Sequence, residues 1–245
     1  MRNYKMTIAY DGTKYQGWQR QAMTKMTIQG ILEDKISEYI GYDIQIDGSG
    51  RTDAGVHACG QVANVKVAGK IDEEDFLKQV NQSLPEDIKI KKVELVKNGF
   101  HSRYSAKAKK YEYVIDQREK ADVFTRKYCY HYIRRLNIEK MRKAAEYLKG
   151  THDFAAFTDK KDERSTVRSI YDITIRQEKE KIYFNFWGDG FMYHMVRILT
   201  GTLLQVGNGE LDERSIPGLI KEKERSKTGF LVPAEGLFLK EVMYE

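Results

Sequence analysis

The sequence predicts an α+β protein made of two ferredoxin-like αβ units with mostly antiparallel sheets. Two observations predict it. The first hundred residues run strand, helix, strand, strand, helix, strand, the order of a split βαβ unit. Residues 111–239 give a looser echo of that order, without any residue-level repeat. The apolar content is sufficient for packed cores, because hydrophobic residues make up 41% and aromatic residues 11% of 245. No Pro/Gly/Ser-rich linker separates the halves. The first unit is expected over 1–106 and the second over 107–245.

Each element rests on a local pattern. Tyr4 to Tyr10 alternates as a strand and stops at Asp11-Gly12-Thr13. Thr27 is an N-cap for a helix whose apolar residues, Ile28, Ile31, Leu32, Ile36, Tyr39 and Ile40, recur at helical spacing up to Gly41. Tyr42, Ile44 and Ile46 alternate again as far as the loop Gly48-Ser49-Gly50. Val62, Val65 and Val67 mark a third strand. Residues 72–82 form a helix with Phe76, Leu77 and Val80 on one face, and Ile88 to Val96 a fourth strand. In the second half, Tyr111, Tyr113 and Ile115 alternate in a strand. Ile138, Met141, Ala145 and Leu148 mark a helix ending at Gly150. Residues 170–175 and 182–186 are paired strands, Phe191 to Val206 an apolar helix, and Leu237 begins a last strand.

Composition narrows the function classes. Forty-two Lys and Arg stand against 36 Asp and Glu, a net charge of +6, and the isoelectric point is near 9.0. That surplus fits a phosphate-rich partner. Cys59 and Cys129 alone make no disulfide framework, so a reducing compartment is expected. The start, MRNYKMTIAYDG, has no apolar leader, and no run approaches the roughly 20 apolar residues of a membrane span. A cytoplasmic globular protein is expected.

Four clusters carry chemistry. The first, Gly48 to Ala58, places three glycines, Arg51, Asp53 and His57 between two strands. It reads either as a ligand-approaching loop or as a turn in which Asp53 bonds its own backbone. It matches neither G-x-x-x-x-G-K-[ST] nor G-x-G-x-x-G. The second, Tyr10 to Gln21, mixes Tyr15, Trp18, Gln19 and Arg20, residue types that stack bases and bind phosphates. The third is Arg103 to Tyr113, with Arg103, Lys107, Lys109 and Lys110 as a phosphate-facing strip or a solvated charge run. The fourth is Phe191 to Arg197, where Arg197 in an apolar helix calls for an anionic partner. No histidine pair has H-E-x-x-H spacing, so no metal site is expected; His57 beside Cys59 supplies two ligands at most.

Taken together these segments resemble the TruA-type tRNA pseudouridine synthases over essentially the whole chain. The resemblance lies in Tyr10-Asp11-Gly12-Thr13 through Gly17-Trp18-Gln19-Arg20-Gln21, in Thr27 to Glu33, and in Gly50-Arg51-Thr52-Asp53-Ala54-Gly55-Val56-His57-Ala58, the most specific. It continues in order through Lys110-Tyr111-Glu112-Tyr113, His194-Met195-Val196-Arg197 and Ala234-Glu235-Gly236-Leu237. It implies the pseudouridine synthase fold, two αβ units around a central cleft. It implies isomerisation of uridine to pseudouridine in the tRNA anticodon stem-loop, at positions 38 to 40, by a homodimer that uses no cofactor or metal.

By the same resemblance Asp53 is the essential carboxylate, and Tyr111 packs on the target base and is a proposed base. Arg197 pairs with the carboxylate, Arg51 helps extrude the nucleotide, and Leu237 lines the pocket. Arg20, Lys107, Lys109 and Lys110 are expected on the RNA. The attack of Asp53 on C1′, attack on the base and removal of a ribose proton stay open. So do a paralogue's target elsewhere in tRNA or rRNA, a non-catalytic RNA-binding protein of the same fold, and a metal-dependent hydrolase using Asp53 and His57. The charged segment Thr158-Asp159-Lys160-Lys161-Asp162-Glu163-Arg164, unusual for the family, reads as a solvated loop or an RNA contact.

Overall fold

A computed structural model describes residues 1–160 and 164–245. The centre of the charged segment, 161–163, lies outside the described residues. The chain divides into two units, Met1–Lys107 with Phe238–Glu245, and Ala108–Leu237. The final strand thus returns to the first unit rather than staying with the second.

The first unit contains β1 (Arg2–Tyr10), α1 (Ile28–Ile40), β2 (Ile46–Gly48), β3 (His57–Val67), α2 (Glu73–Ser83), β4 (Ile88–Val96) and β10 (Leu237–Met243), whose first residue belongs to the second unit. Antiparallel β1 lies between β4 and β3. The two ends of β3 take different neighbours. Its start pairs in parallel with β10, Phe238 against His57, and its end pairs with β2, Ile46 against Val65. Helix ends follow local chemistry. The Thr27 hydroxyl accepts from the amide of Gly30, and Gly41 closes α1 in the left-handed region. The Asp72 carboxylate accepts from the amides of Glu74 and Asp75, in a first turn whose three acids suit the helix dipole. Tyr4, Met6 and Ile8 of β1, Ile28, Leu32 and Ile36 of α1, and Phe76 and Val80 of α2 are buried as the core.

The second unit contains β5 (Ala108–Asp116), β6 (Tyr130–His131), α3 (Ile138–Leu148), β7 (Gly150–Asp153), β8 (Val167–Glu178), β9 (Lys181–Gly188), α4 (Met195–Asn208) and α5 (Ile216–Glu222). Its sheet runs β5-β9-β8-β7, all antiparallel, with β6 on the other side of β5. With short β6 and β7 set aside, the order of first, third and second strand in β1-β3-β2 recurs in β5-β9-β8, so the echo read from the sequence is an echo of topology.

Two expected elements differ. The second strand keeps only three residues, because the Ile44 amide donates to Ser37 Oγ (3.0 Å) and leaves the strand direction. The apolar helix starts at Met195, not Phe191, because His194 has φ 63° and ends the irregular stretch before it.

Helix α4 presses directly on the segment that follows α5. A Cβ on Gly201 would overlap the carbonyl oxygen of Phe230 and stand 3.0 Å from its carbonyl carbon. Gly201→Ala is expected to cost about 2 kcal/mol or more by overpacking against backbone. Gly218→Ala in α5, whose Cβ meets nothing within 4 Å, is expected to be neutral or stabilising. Urea unfolding of both variants checks the contrast.

Candidate active site

In the first unit the Asp53 loop is clamped from two directions. Behind it, the Ser49 hydroxyl donates to Gln61 Oε1 (2.7 Å), and Gln61 Nε2 donates to the Gly50 carbonyl (3.0 Å). From the front, residues 11–18 lie backbone against backbone on residues 52–56. The Trp18 amide donates to the Thr52 carbonyl (3.1 Å), and the Gly55 amide to the Tyr15 carbonyl (3.3 Å). A side chain on Gly12 would overlap the Val56 carbonyl, and Gly17, at φ 85°, would place a Cβ 2.6 Å from the Thr52 carbonyl oxygen. Tyr10 and Thr52 share a buried hydroxyl–hydroxyl bond (2.8 Å), and burial pushes the Tyr10 phenol well above its usual range. The Val56 amide donates to the Asp53 carbonyl (3.1 Å), so half-buried Asp53 begins a tight turn.

His57 follows the turn, fully buried and stacked on Phe238 at 4.7 Å. Its Nδ1 lies 3.1 Å from both the Gly12 amide and Asp11 Oδ1. An unprotonated Nδ1 accepts from the amide, and a protonated one donates to the carboxylate. Either way the ring ties the two loops together. Among the described residues no three His, Cys, Asp or Glu side chains gather as metal ligands.

Arg51 is exposed, and its Nε donates to Gln19 Oε1 (2.8 Å). Gln19 in turn donates to Gln29 Oε1 (2.6 Å). Neighbouring Arg20 is spanned by Glu33 (2.9 Å) and Asp34 (3.0 Å) of α1, which gives it a structural duty.

In the second unit, distant stretches of sequence meet on residues 232–237. Arg197, in the first turn of α4, donates Nε–H to the Val232 carbonyl (2.8 Å). The Tyr113 hydroxyl donates to the Pro233 carbonyl (2.7 Å), and burial holds that phenol well above its usual range. A Cβ on Gly236 would stand 2.7 Å from the Tyr113 ring. This segment delivers buried Leu237. Tyr111, two residues before Tyr113 on the same face of β5, is 9% exposed and meets Phe191 edge to face at 5.3 Å. Lys109 shares that face. Lys110 points to the other face, where its ammonium lies over Trp187 at 5.7 Å.

A profile of the tRNA pseudouridine synthase family matches residues 6–105 and 144–245. The chain belongs to that family. Its relatives include tRNA pseudouridine synthase A 2 of Bacillus cereus, 44% identical over 245 residues and covering both chains in full. The tRNA pseudouridine synthase A of Thermoanaerobacter sp. is 42% identical, and that of Bacillus sp. strain KSM-64 is 44% identical, again over the full length of both chains. Of the residues expected at the site, Arg20, Arg51, Asp53, Arg197 and Leu237 fall inside the matched family segments. Lys109, Lys110 and Tyr111 fall between them. No described helix is long and apolar enough to cross a membrane.

Sequence reasoning missed what sets the start of the Arg197 helix in this family member. His194 Nδ1 meets Asp159 Oδ2 at 2.6 Å, and Arg225 Nε donates to Asp159 Oδ1 at 2.8 Å. The Tyr193 and His194 rings stack at 3.6 Å. The three polar partners are far apart in sequence, so only the charge at Asp159 hinted at them. Burial acts to raise the Asp159 pKa, but its bonds to His194 and Arg225 outweigh it and hold the carboxyl below its usual value. A depressed folded-state pKa contributes stability that is present above the unfolded pKa and lost as pH falls through the folded one. Asp159→Asn is therefore expected to be less stable than wild type at pH 7, with the gap closing below about pH 4, in thermal unfolding across pH 3 to 7.

Proposed function

We propose that this protein isomerises uridine to pseudouridine in the anticodon stem-loop of tRNA, at positions 38 to 40, in the cytoplasm and as a homodimer. One observation carries the reading. The loop Gly50–Ala58 of a tRNA pseudouridine synthase family member holds Asp53 in a turn locked on both sides by backbone and by Gln61.

The chemistry needs what these residues offer. The N1–C1′ bond breaks, the uracil turns, and a C5–C1′ bond forms. The C5 proton leaves and N1 gains one, so atoms and electrons balance within the nucleotide. A fixed carboxylate serves each of three routes: attack on C1′, attack on the base, or removal of a ribose proton. Asp53 fills that role, and Arg197 supplies a cation. Tyr111 supplies a rigid aromatic face for the uracil, and Leu237 an apolar wall. The target sits in a stem, so it must be flipped out, at a cost of a few kcal/mol. Arg51, exposed beside the loop, fills the gap in this reading, and Lys109 and Lys110 meet phosphate.

Asp53→Asn is expected to lower pseudouridine formation about 10³-fold or more, with an unchanged circular dichroism spectrum, in a tritium-release assay on a tRNA transcript labelled at uridine C5. Near wild-type turnover by the folded variant would sink the mechanism. Pseudouridine mapping of total RNA from cells with and without the gene tests the substrate. Loss at positions 38 to 40 is expected, and loss only at another tRNA or rRNA site would move the target there. A monomeric mass in light scattering at micromolar concentration would count against the dimer.

A further inference from the structure

The loop joining β4 to β5 carries an aromatic that the fold does not use. Tyr104 is 78% exposed. It is nevertheless not on a loose loop, because Ser102, two residues earlier, is fully buried with every polar group engaged. Its amide donates to Asn64 Oδ1 (2.8 Å), its hydroxyl to the Asp47 carbonyl, and its carbonyl accepts from the Tyr244 hydroxyl (2.7 Å). Around it, the Ser105 amide donates to the His101 carbonyl (2.9 Å), and the His101 amide to Ser105 Oγ (3.1 Å). The Arg103 amide donates to His101 Nδ1 (3.1 Å), which leaves the proton of a neutral ring on Nε2, 3.9 Å from Asp47 Oδ1. The loop is thus anchored while its ring is held in water.

Its neighbours are an imidazole and a guanidinium. The His101 ring lies 4.4 Å from the Tyr104 ring, tilted by 49°, and the exposed Arg103 guanidinium is 5.9 Å from its centre. A rigid aromatic face flanked by an imidazole and a guanidinium is an arrangement that stacks an unpaired base and holds its phosphate. Its anchor also fixes its place. Ser102 bonds to Asp47, and Asp47 precedes Asp53 by six positions, so at most about 20 Å of chain separates the anchor from the proposed carboxylate.

We infer that Tyr104, backed by His101, is a stacking site for an unpaired base of the substrate RNA near the target uridine, with Arg103 on the adjoining phosphate. This rests on the pseudouridine synthase reading above.

The test compares the full-length wild type with Tyr104→Ala, Tyr104→Phe and Arg103→Gln on one tRNA transcript. Equilibrium binding is measured at several salt concentrations, beside steady-state turnover and light scattering. Tyr104→Ala is expected to raise Kd and KM by about 5- to 100-fold with a much smaller change in kcat. Tyr104→Phe is expected to stay near wild type, since the ring does the stacking. Arg103→Gln is expected to flatten the salt slope by about one. A Kd for Tyr104→Ala within twofold of wild type overturns the inference. So does a Tyr104→Phe variant as weak as Tyr104→Ala. A change in molecular mass without a change in RNA affinity also overturns it and assigns the ring to a protein contact. A wild type that binds the transcript yet forms no pseudouridine defeats the functional reading instead, and the binding comparison still decides Tyr104.

Discussion

The first unit depends on one close approach of backbone to backbone, Gly12 on the Val56 carbonyl and Gly17 on the Thr52 carbonyl. No side chain fits between these loops, so the turn holding Asp53 has a fixed wall in front of it. Interloop amide bonds, the Tyr10–Thr52 hydroxyl pair and the His57 ring then act over short distances and add little disorder to remove. Trp18 extends the same constraint. Its indole covers Gly48, where a Cβ would overlap the ring nitrogen, and so fixes the chain entering the loop. A loop clamped by backbone contacts holds its side chains more closely than one held by side chains alone.

The second unit solves the same problem differently. Residues 232–236 lie outside any strand, yet Arg197 and Tyr113 hold successive carbonyls of the segment. The bond from Arg197 to the Val232 carbonyl orients the guanidinium. Helix α4 is seated by Gly201 against Phe230 and its start is set by His194, Asp159 and Arg225. A cation carried on such a helix is aimed by packing, which is how an arginine remains useful in an otherwise apolar run.

What could be read from sequence was what local chemistry decides. Both ends of α1 followed from Thr27 and Gly41, because capping is settled within one turn. The strand alternation of β1 and β9 was equally plain, since one buried face imposes a period of two. The shortening of β2 was hidden, because the hydroxyl that diverts the Ile44 amide belongs to a helix seven residues earlier. The start of α4 was hidden too, because the left-handed His194 is held by Asp159, 35 positions away. The residue types of the Gly50–Ala58 loop left a turn and a ligand loop equally open, and only the family resemblance pointed to its duty. The anchored exposure of Tyr104 was out of reach, as it depends on Asn64, Asp47 and Tyr244 meeting around Ser102.

Net charge is also a poorer guide to RNA binding here than the count of 42 cations suggests. Arg20 is held by Glu33 and Asp34, Arg118 by Asp116 and Asp122, and Arg225 by Asp159. A guanidinium already bridged by carboxylates exchanges one ion pair for another when it meets a phosphate, and little is gained by that exchange. Such cations stiffen the scaffold more than they extend the electrostatic footprint. Under the proposed function, recognition then rests more heavily on shape and on aromatic faces, which do not read base identity. The proposed isomerisation at neighbouring positions of one stem-loop needs tolerance of that kind.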